Sequence, residues 1–132
     1  MRILFLVAAL TLGGCASSLA MGGRLAGDWQ AVDINGVPVS GSRPITLRLE
    51  GTGASGSSGC NSYSGTIRLT SREGIEFGPL AVTEMACPPE AMEQEKRYLS
   101  ILRSVQGYSS YSDKGISLIA GDGRAVRFRR PS

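Results

Sequence analysis

The chain runs to 132 residues, with 14 lysines and arginines against 11 aspartates and glutamates and a mean hydropathy of +0.01. That length suits a single domain, and so small a charge excess makes no case for nucleic acid as a partner. There is no histidine, which removes the commonest general base and metal ligand and every serine or cysteine hydrolase arrangement built on imidazole.

Met1 and Arg2 give a positive start, and Ile3 to Leu12 is an apolar run broken only by Thr11. Such a run is too short to span a hydrocarbon core of roughly 30 Å as a helix but suits the core of a signal peptide. Leu12-Gly13-Gly14-Cys15 then resembles the bacterial lipobox, in which cleavage falls just before the cysteine and its thiol takes a diacylglycerol. Residues 1–14 are read as a lipoprotein signal peptide, Cys15 as the lipidation site and residues 15–24 as a small, weakly polar tether. The alternative is an ordinary secretory signal with a chance cysteine. Two or three acyl chains, at about 0.8 kcal/mol per buried methylene, make a permanent anchor, so the membrane is expected as a partner through the lipid on Cys15. By resemblance to known lipoprotein sorting, Ala16 in place of an aspartate points to the outer membrane, facing the periplasm.

The folded domain is expected over residues 25–130. Asp28 to Ile34 carries the only tryptophan, Trp29, in a strand that leads to Asn35-Gly36, the pair that best tolerates positive φ at both centres of a tight hairpin. Val37-Pro38-Val39 leaves that turn, with the proline confining the return to an edge or a bulge. Ile45, Leu47 and Leu49 alternate with polar residues, the period of a half-buried strand, and Tyr63, Gly65, Ile67 and Leu69 mark a second one. The glycine- and serine-rich Gly51 to Gly59 between them is read as a hairpin connection. It lacks the Gly-Lys-Ser/Thr ending and the following helix of a phosphate-binding loop. Ile75 and Phe77 mark a further strand, and Leu80 to Met85 another that delivers Cys87.

Pro88-Pro89 opens a helix read from Glu90 to about Val105 and ended by Gly107. Ala91, Tyr98, Leu102 and Val105 form its apolar stripe, widened by Leu99 and Met92, and Glu95 falls in the middle of it. Tyr108 to Tyr111, Ile116 to Ile119 and Ala125 to Phe128 read as closing strands, the last two joined through Gly121-Asp122-Gly123. Arg124, Arg127, Arg129 and Arg130 along the last strand read as a solvated face, with a lipid-headgroup or anionic-partner patch as the alternative.

Outside the cytosol the two cysteines other than Cys15 are expected to be oxidised to each other, so Cys60 and Cys87 are assigned a structural disulfide. They are 27 residues apart, unlike a thioredoxin-type pair, and no further ligands are spaced to make a zinc site with them, so neither metal nor cofactor is expected. Closing a loop of that size stabilises a domain by roughly 3 to 4 kcal/mol. Carboxylate pairs remain as enzymatic candidates, and Glu84 and Glu95 are the two with an argument. For Glu95 the reading adopted is a buried structural acid that accepts hydrogen bonds and fastens helix to sheet, against catalysis as the alternative.

Gly27-Asp28-Trp29, Ile34-Asn35-Gly36-Val37-Pro38-Val39, Ser58-Gly59-Cys60-Asn61-Ser62-Tyr63-Ser64-Gly65, Phe77 to Thr83, Met85-Ala86-Cys87-Pro88 and Glu93-Gln94-Glu95 through Leu102 together resemble the META domain of HslJ-type heat-inducible bacterial lipoproteins. The likeness extends from about Leu25 to Arg129 and departs at Glu84, where the family pattern has a basic residue. It implies an α+β fold: a small, antiparallel, β-rich, partly barrel-like domain with one packed helix. It implies no established enzyme activity, and a loose association with heat stress, antibiotic tolerance and envelope phenotypes. The resulting expectation is a monomeric, non-enzymatic envelope lipoprotein that binds an envelope ligand or protein. The alternative is an inhibitor of a periplasmic hydrolase, a protease or lysozyme, acting through a rigid loop such as Gly51 to Gly59.

Overall fold

The computed structural model describes residues 24–132. The signal peptide, Cys15 and all of the tether but Arg24 lie outside the described residues. Ten strands and one helix follow in the order β1 (Gly27–Ile34), β2 (Val37–Pro38), β3 (Thr46–Glu50), β4 (Gly53–Ser57), β5 (Ser62–Ser71), β6 (Gly74–Phe77), β7 (Ala81–Val82), α1 (Pro89–Arg103), β8 (Val105–Ser112), β9 (Gly115–Ala120) and β10 (Ala125–Arg129). Every pairing is antiparallel. The ladder runs β1-β3-β4-β5-β6-β8-β9-β10 and closes where β10 returns to β1, with Ala31 opposite Phe128 and Ile34 opposite Val126. The result is an eight-stranded up-and-down barrel on which β2 and β7 are short additions to β1 and β5. Closure removes the open edges that an alternating antiparallel sheet would otherwise expose.

Alternation sets which side chains fill the barrel. Trp29, Ala31, Leu47, Leu49, Tyr63, Ile67, Ile116, Leu118, Val126 and Phe128 point inward and are buried. Asn35 and Gly36 take φ of +49° and +84°, and the hairpin they make leaves β2 only two residues long and exposed. Helix α1 lies across one end of the barrel. Tyr98, fully buried, packs edge-on between Tyr63 and Phe128 with ring centroids 5.7 Å and 6.3 Å away. The Tyr98 and Tyr63 hydroxyls are 2.6 Å apart, and Tyr63 donates onward to the Thr46 carbonyl at 2.7 Å. Burial pushes both phenols well above their ordinary value of 10.0.

Four sequence expectations need correction here. The segment Gly51 to Gly59 is not a connection, because most of it is strand β4, paired to both β3 and β5. Its small residues are what that place requires: a Cβ on Gly56 would collide with the Thr46 carbonyl and crowd the Tyr63 hydroxyl. The helix stops at Arg103, earlier than expected, because Val105 is buried and pairs with Ala120 as the first residue of β8. Gly107 therefore lies inside that strand, opposite Gly74. Of Leu80 to Met85 only Ala81 and Val82 form a strand. Beyond Ser62 the chain of β5 turns away at Asn61, so the Met85 amide bonds the Asn61 side chain instead of a backbone carbonyl. Met92, placed on the apolar stripe, is 47% exposed. The buried helix face instead comprises Gln94, Glu95, Tyr98, Leu99, Ile101 and Leu102.

Candidate functional site

The plugged end of the barrel brings together most of the residues singled out in the sequence. Strands β4 and β5 meet there in a two-residue turn, Gly59-Cys60, closed by the Ser58 amide donating to the Asn61 carbonyl at 2.8 Å. Gly59 has φ of +99° at the first turn centre, a conformation that glycine adopts without steric cost. Cys60, thus presented, is joined in a disulfide to Cys87, with Cα atoms 6.0 Å apart, directly before the first turn of α1.

Glu95 is 8% exposed and its carboxylate accepts from three donors. The Ser58 hydroxyl and the Asn61 amide, the latter at 2.8 Å, bond Oε1, and Asn61 Nδ2 bonds Oε2 at 2.9 Å. Asn61, itself buried, extends this node: its Oδ1 accepts from the Thr83 hydroxyl at 3.1 Å and from the Met85 amide at 2.6 Å. One turn of helix, the β4–β5 turn and the segment after β7 are thereby tied through a single asparagine. Gln94, beside Glu95, reaches the other way, accepting the Ser40 amide at 2.8 Å and donating to its carbonyl at 2.9 Å. Arg124 donates to the Ser100 hydroxyl at 3.1 Å, and the Gly121 amide to the Ser104 carbonyl, which secures the far end of α1. Through these bonds the Glu95 carboxylate ties α1 to the β4–β5 turn.

Two grooves flank the segment that carries Cys87. One, about 410 Å³, lies between Ser40–Arg43 and the start of α1, with Gln94 and Gly59 in its wall. The other, about 540 Å³, lies between Val82–Ala86 and the helix face bearing Met92, with Asn61 and Glu95 in its lining. Met85, 50% exposed, stands between them, and Glu84 is exposed beside it with no hydrogen-bond partner among the described residues. Glu84 and Glu95 both border the second groove, but only Glu95 is buried.

The arginines on and beside β10 are used individually. Arg127 donates from Nε at 2.6 Å to Asp33, a buried acid that the sequence reading did not single out, and its Nη2 completes the ion pair. Asp33 raises the Arg127 value, chiefly through that hydrogen bond. A bulge between Ala31 and Asp33 sets Asp33 opposite Arg127 on the outer face of the barrel and turns Ile34 inward opposite Val126, and the position of Asp33 before Asn35-Gly36 was the available signal. It also accepts the Gly36 amide. Arg130 lies 3.7 Å above the Trp29 ring and donates to the Asp28 and Arg24 carbonyls, so it secures the chain entry at the end opposite the helix. Arg124 pairs with Asp122, which the Arg124 amide and guanidinium hold below its ordinary range. Arg129 is exposed. Among the described residues there is no cluster of acids or cysteines arranged to hold a metal ion.

A family model described as the META domain matches residues 23–132. A protein from Burkholderia xenovorans solved by NMR is similar at 27% identity and a TM-score of 0.65, over 82% of this chain and 84% of that one. A second NMR structure, at 22% identity and a TM-score of 0.61 over 80% and 89% of the two chains, is similar in fold. So is a crystal structure of a duf4847 family protein from Bacteroides vulgatus, at 11% identity and 0.60 over 82% and 94%. No curated protein matches the chain.

Proposed function

The chain belongs to the META domain family, and from that premise we propose that it serves as a non-enzymatic binding module of the bacterial envelope, held by lipid on Cys15, with the plugged barrel end as its working surface. The observation that carries this reading is the placing of the two grooves and the exposed Met85 and Met92 on one end, while Arg24, where the described chain begins, lies at the other. A tethered module arranged so would turn its grooves away from the anchor. Exposed methionines suit such a surface because their unbranched side chains adapt to a partner. The carboxylates support no hydrolytic pair: Glu95 is fully engaged as an acceptor, and Glu84 is solvated. An inhibitor of a hydrolase needs a projecting rigid loop, and Gly51 to Gly59, the segment offered for that role, is built into the barrel as β4.

The anchor is tested by detergent partitioning: the unaltered protein should enter the detergent phase and Cys15→Ala should remain an unprocessed precursor. Recovery of unaltered protein wholly in the soluble periplasm contradicts the anchor. The working surface is tested by photo-cross-linking from Met85 in cells, where a discrete adduct is expected.

A further inference from the structure

The backbone beside Met85 has an unused strand edge. Past the Tyr63–Val82 pair the Thr83 amide donates to the Ser62 carbonyl at 3.0 Å while the Ser62 amide goes to the Thr83 hydroxyl at 3.1 Å, so Thr83 faces β5 at the end of the antiparallel ladder. In such a ladder the neighbouring pairs turn their N–H and C=O groups the other way. Val82 and Glu84 therefore direct their backbone donors and acceptors outward, away from β5. β7 pairs with β5 alone, and the Glu84 amide has no partner among the described residues. The groove of about 540 Å³ lies along this stretch, with Met92 on its far wall.

We propose that the Val82–Glu84 edge accepts an extended peptide strand from a protein partner, one that alternates apolar and basic side chains. Outward backbone groups two residues apart match the repeat of a strand and not of a helix. The apolar side chains of the strand would meet Met85 and Met92, and a basic one would meet Glu84, whose carboxylate has no cation beside it among the described residues. A second copy fits less well, since edge-to-edge pairing would bring two Glu84 side chains into one short ladder. The tether's Ala16 to Gly23 fits less well also, because it contains no basic residue. This inference rests on the plugged end being the working surface.

The test uses the mature lipoprotein in detergent micelles and a hexapeptide of alternating valine and lysine, followed by amide NMR and hydrogen exchange. Binding should shift the Val82 and Glu84 amides and slow their exchange, and methylating alternate peptide nitrogens should weaken it at least about tenfold, or about 1.4 kcal/mol. Glu84→Pro removes an outward donor and no internal hydrogen bond, so it should weaken binding similarly without lowering the melting temperature. Glu84→Gln keeps the donor and should erase the preference for lysine over glutamate in the peptide. Equal binding by the methylated peptide, protection elsewhere on the barrel, or self-association of the protein through this edge would overturn the proposal. Cross-linking from Met85 does not depend on backbone pairing, so adducts there without any peptide effect would overturn the strand inference alone.

Discussion

Truncating Glu95 is the sharpest perturbation of the plugged end. In Glu95→Ala the Ser58 hydroxyl can turn to the Asn61 carbonyl, 2.9 Å away, so it is not left unpaired. The Asn61 amide and Nδ2 have no such alternative, because Asn61 is buried and its Oδ1 is already held by Thr83 and Met85. Two orphaned donors at about 1 to 3 kcal/mol each, partly relieved by water from the adjoining groove, give a cost of about 3 kcal/mol. For a domain of this size that lowers the melting temperature by roughly 10 to 15 °C. Glu95→Gln keeps the Oε1 acceptor but sets an amide NH2 against Asn61 Nδ2, so it should fall between, at about 1 kcal/mol or somewhat more. Pairing Glu95→Ala with Asn61→Ala removes the Nδ2 donor along with its acceptor and leaves only the residue-61 backbone amide unpaired, so the double variant should be less unstable than the sum of the single ones by about 1 to 2 kcal/mol. Thermal and urea melts of the four proteins measure this. A Glu95→Ala protein as stable as its parent, or strict additivity in the cycle, refutes the reasoning.

Reducing the Cys60–Cys87 disulfide, or Cys60→Ser with Cys87→Ser, should cost roughly 3 to 4 kcal/mol in melts; peptide mapping without reductant should recover the linked peptides, and free thiols at both positions in exported protein would contradict it. Gly56→Ala should destabilise by about 1 to 3 kcal/mol as the added methyl drives β4 from the Thr46 carbonyl. Burial raises Tyr63 and Tyr98 in the fold, so the unfolded chain releases their protons first and stability should fall as pH rises above the unfolded value of 10.0. The slope, about 1.4 kcal/mol per pH unit for each ring, should halve in Tyr98→Phe, and an unchanged alkaline slope would contradict the burial. Arg127→Ala leaves Asp33 buried without its cation, and urea melts should show a loss of about 1 to 3 kcal/mol, discounted because the arginine is half exposed.

The parts of the fold legible in the sequence are those governed by local rules. Asn35-Gly36 marks its turn because few other pairs take positive φ at both centres, and Ile45 to Glu50 shows the alternation of a strand with one face on the core. Strand β4 was hidden because its sequence, Gly-Ala-Ser-Gly-Ser, has no strand propensity; two neighbouring strands and the Tyr63 hydroxyl set it. The helix end was misread for a related reason, since only the pairing of Val105 with Ala120 separates strand from helix there. At the site, projection placed Glu95 inside but could not name Asn61 as the residue that connects it to Thr83 and Met85. Gln94 was passed over because its partner Ser40 is 54 residues away. Asp33 was passed over because its partner Arg127 is 94 residues away across the closing seam.

The central claim, that the plugged end is where this module meets its partner, is tested most directly by a photoreactive side chain at Met85, with the same group at Asp113 in the β8–β9 turn of the opposite end as the control. In cells expressing the membrane-bound protein, the account predicts a discrete adduct from Met85 that disappears with Met92→Lys, and none from Asp113. Adducts from Asp113 alone, or from both ends alike, would contradict it.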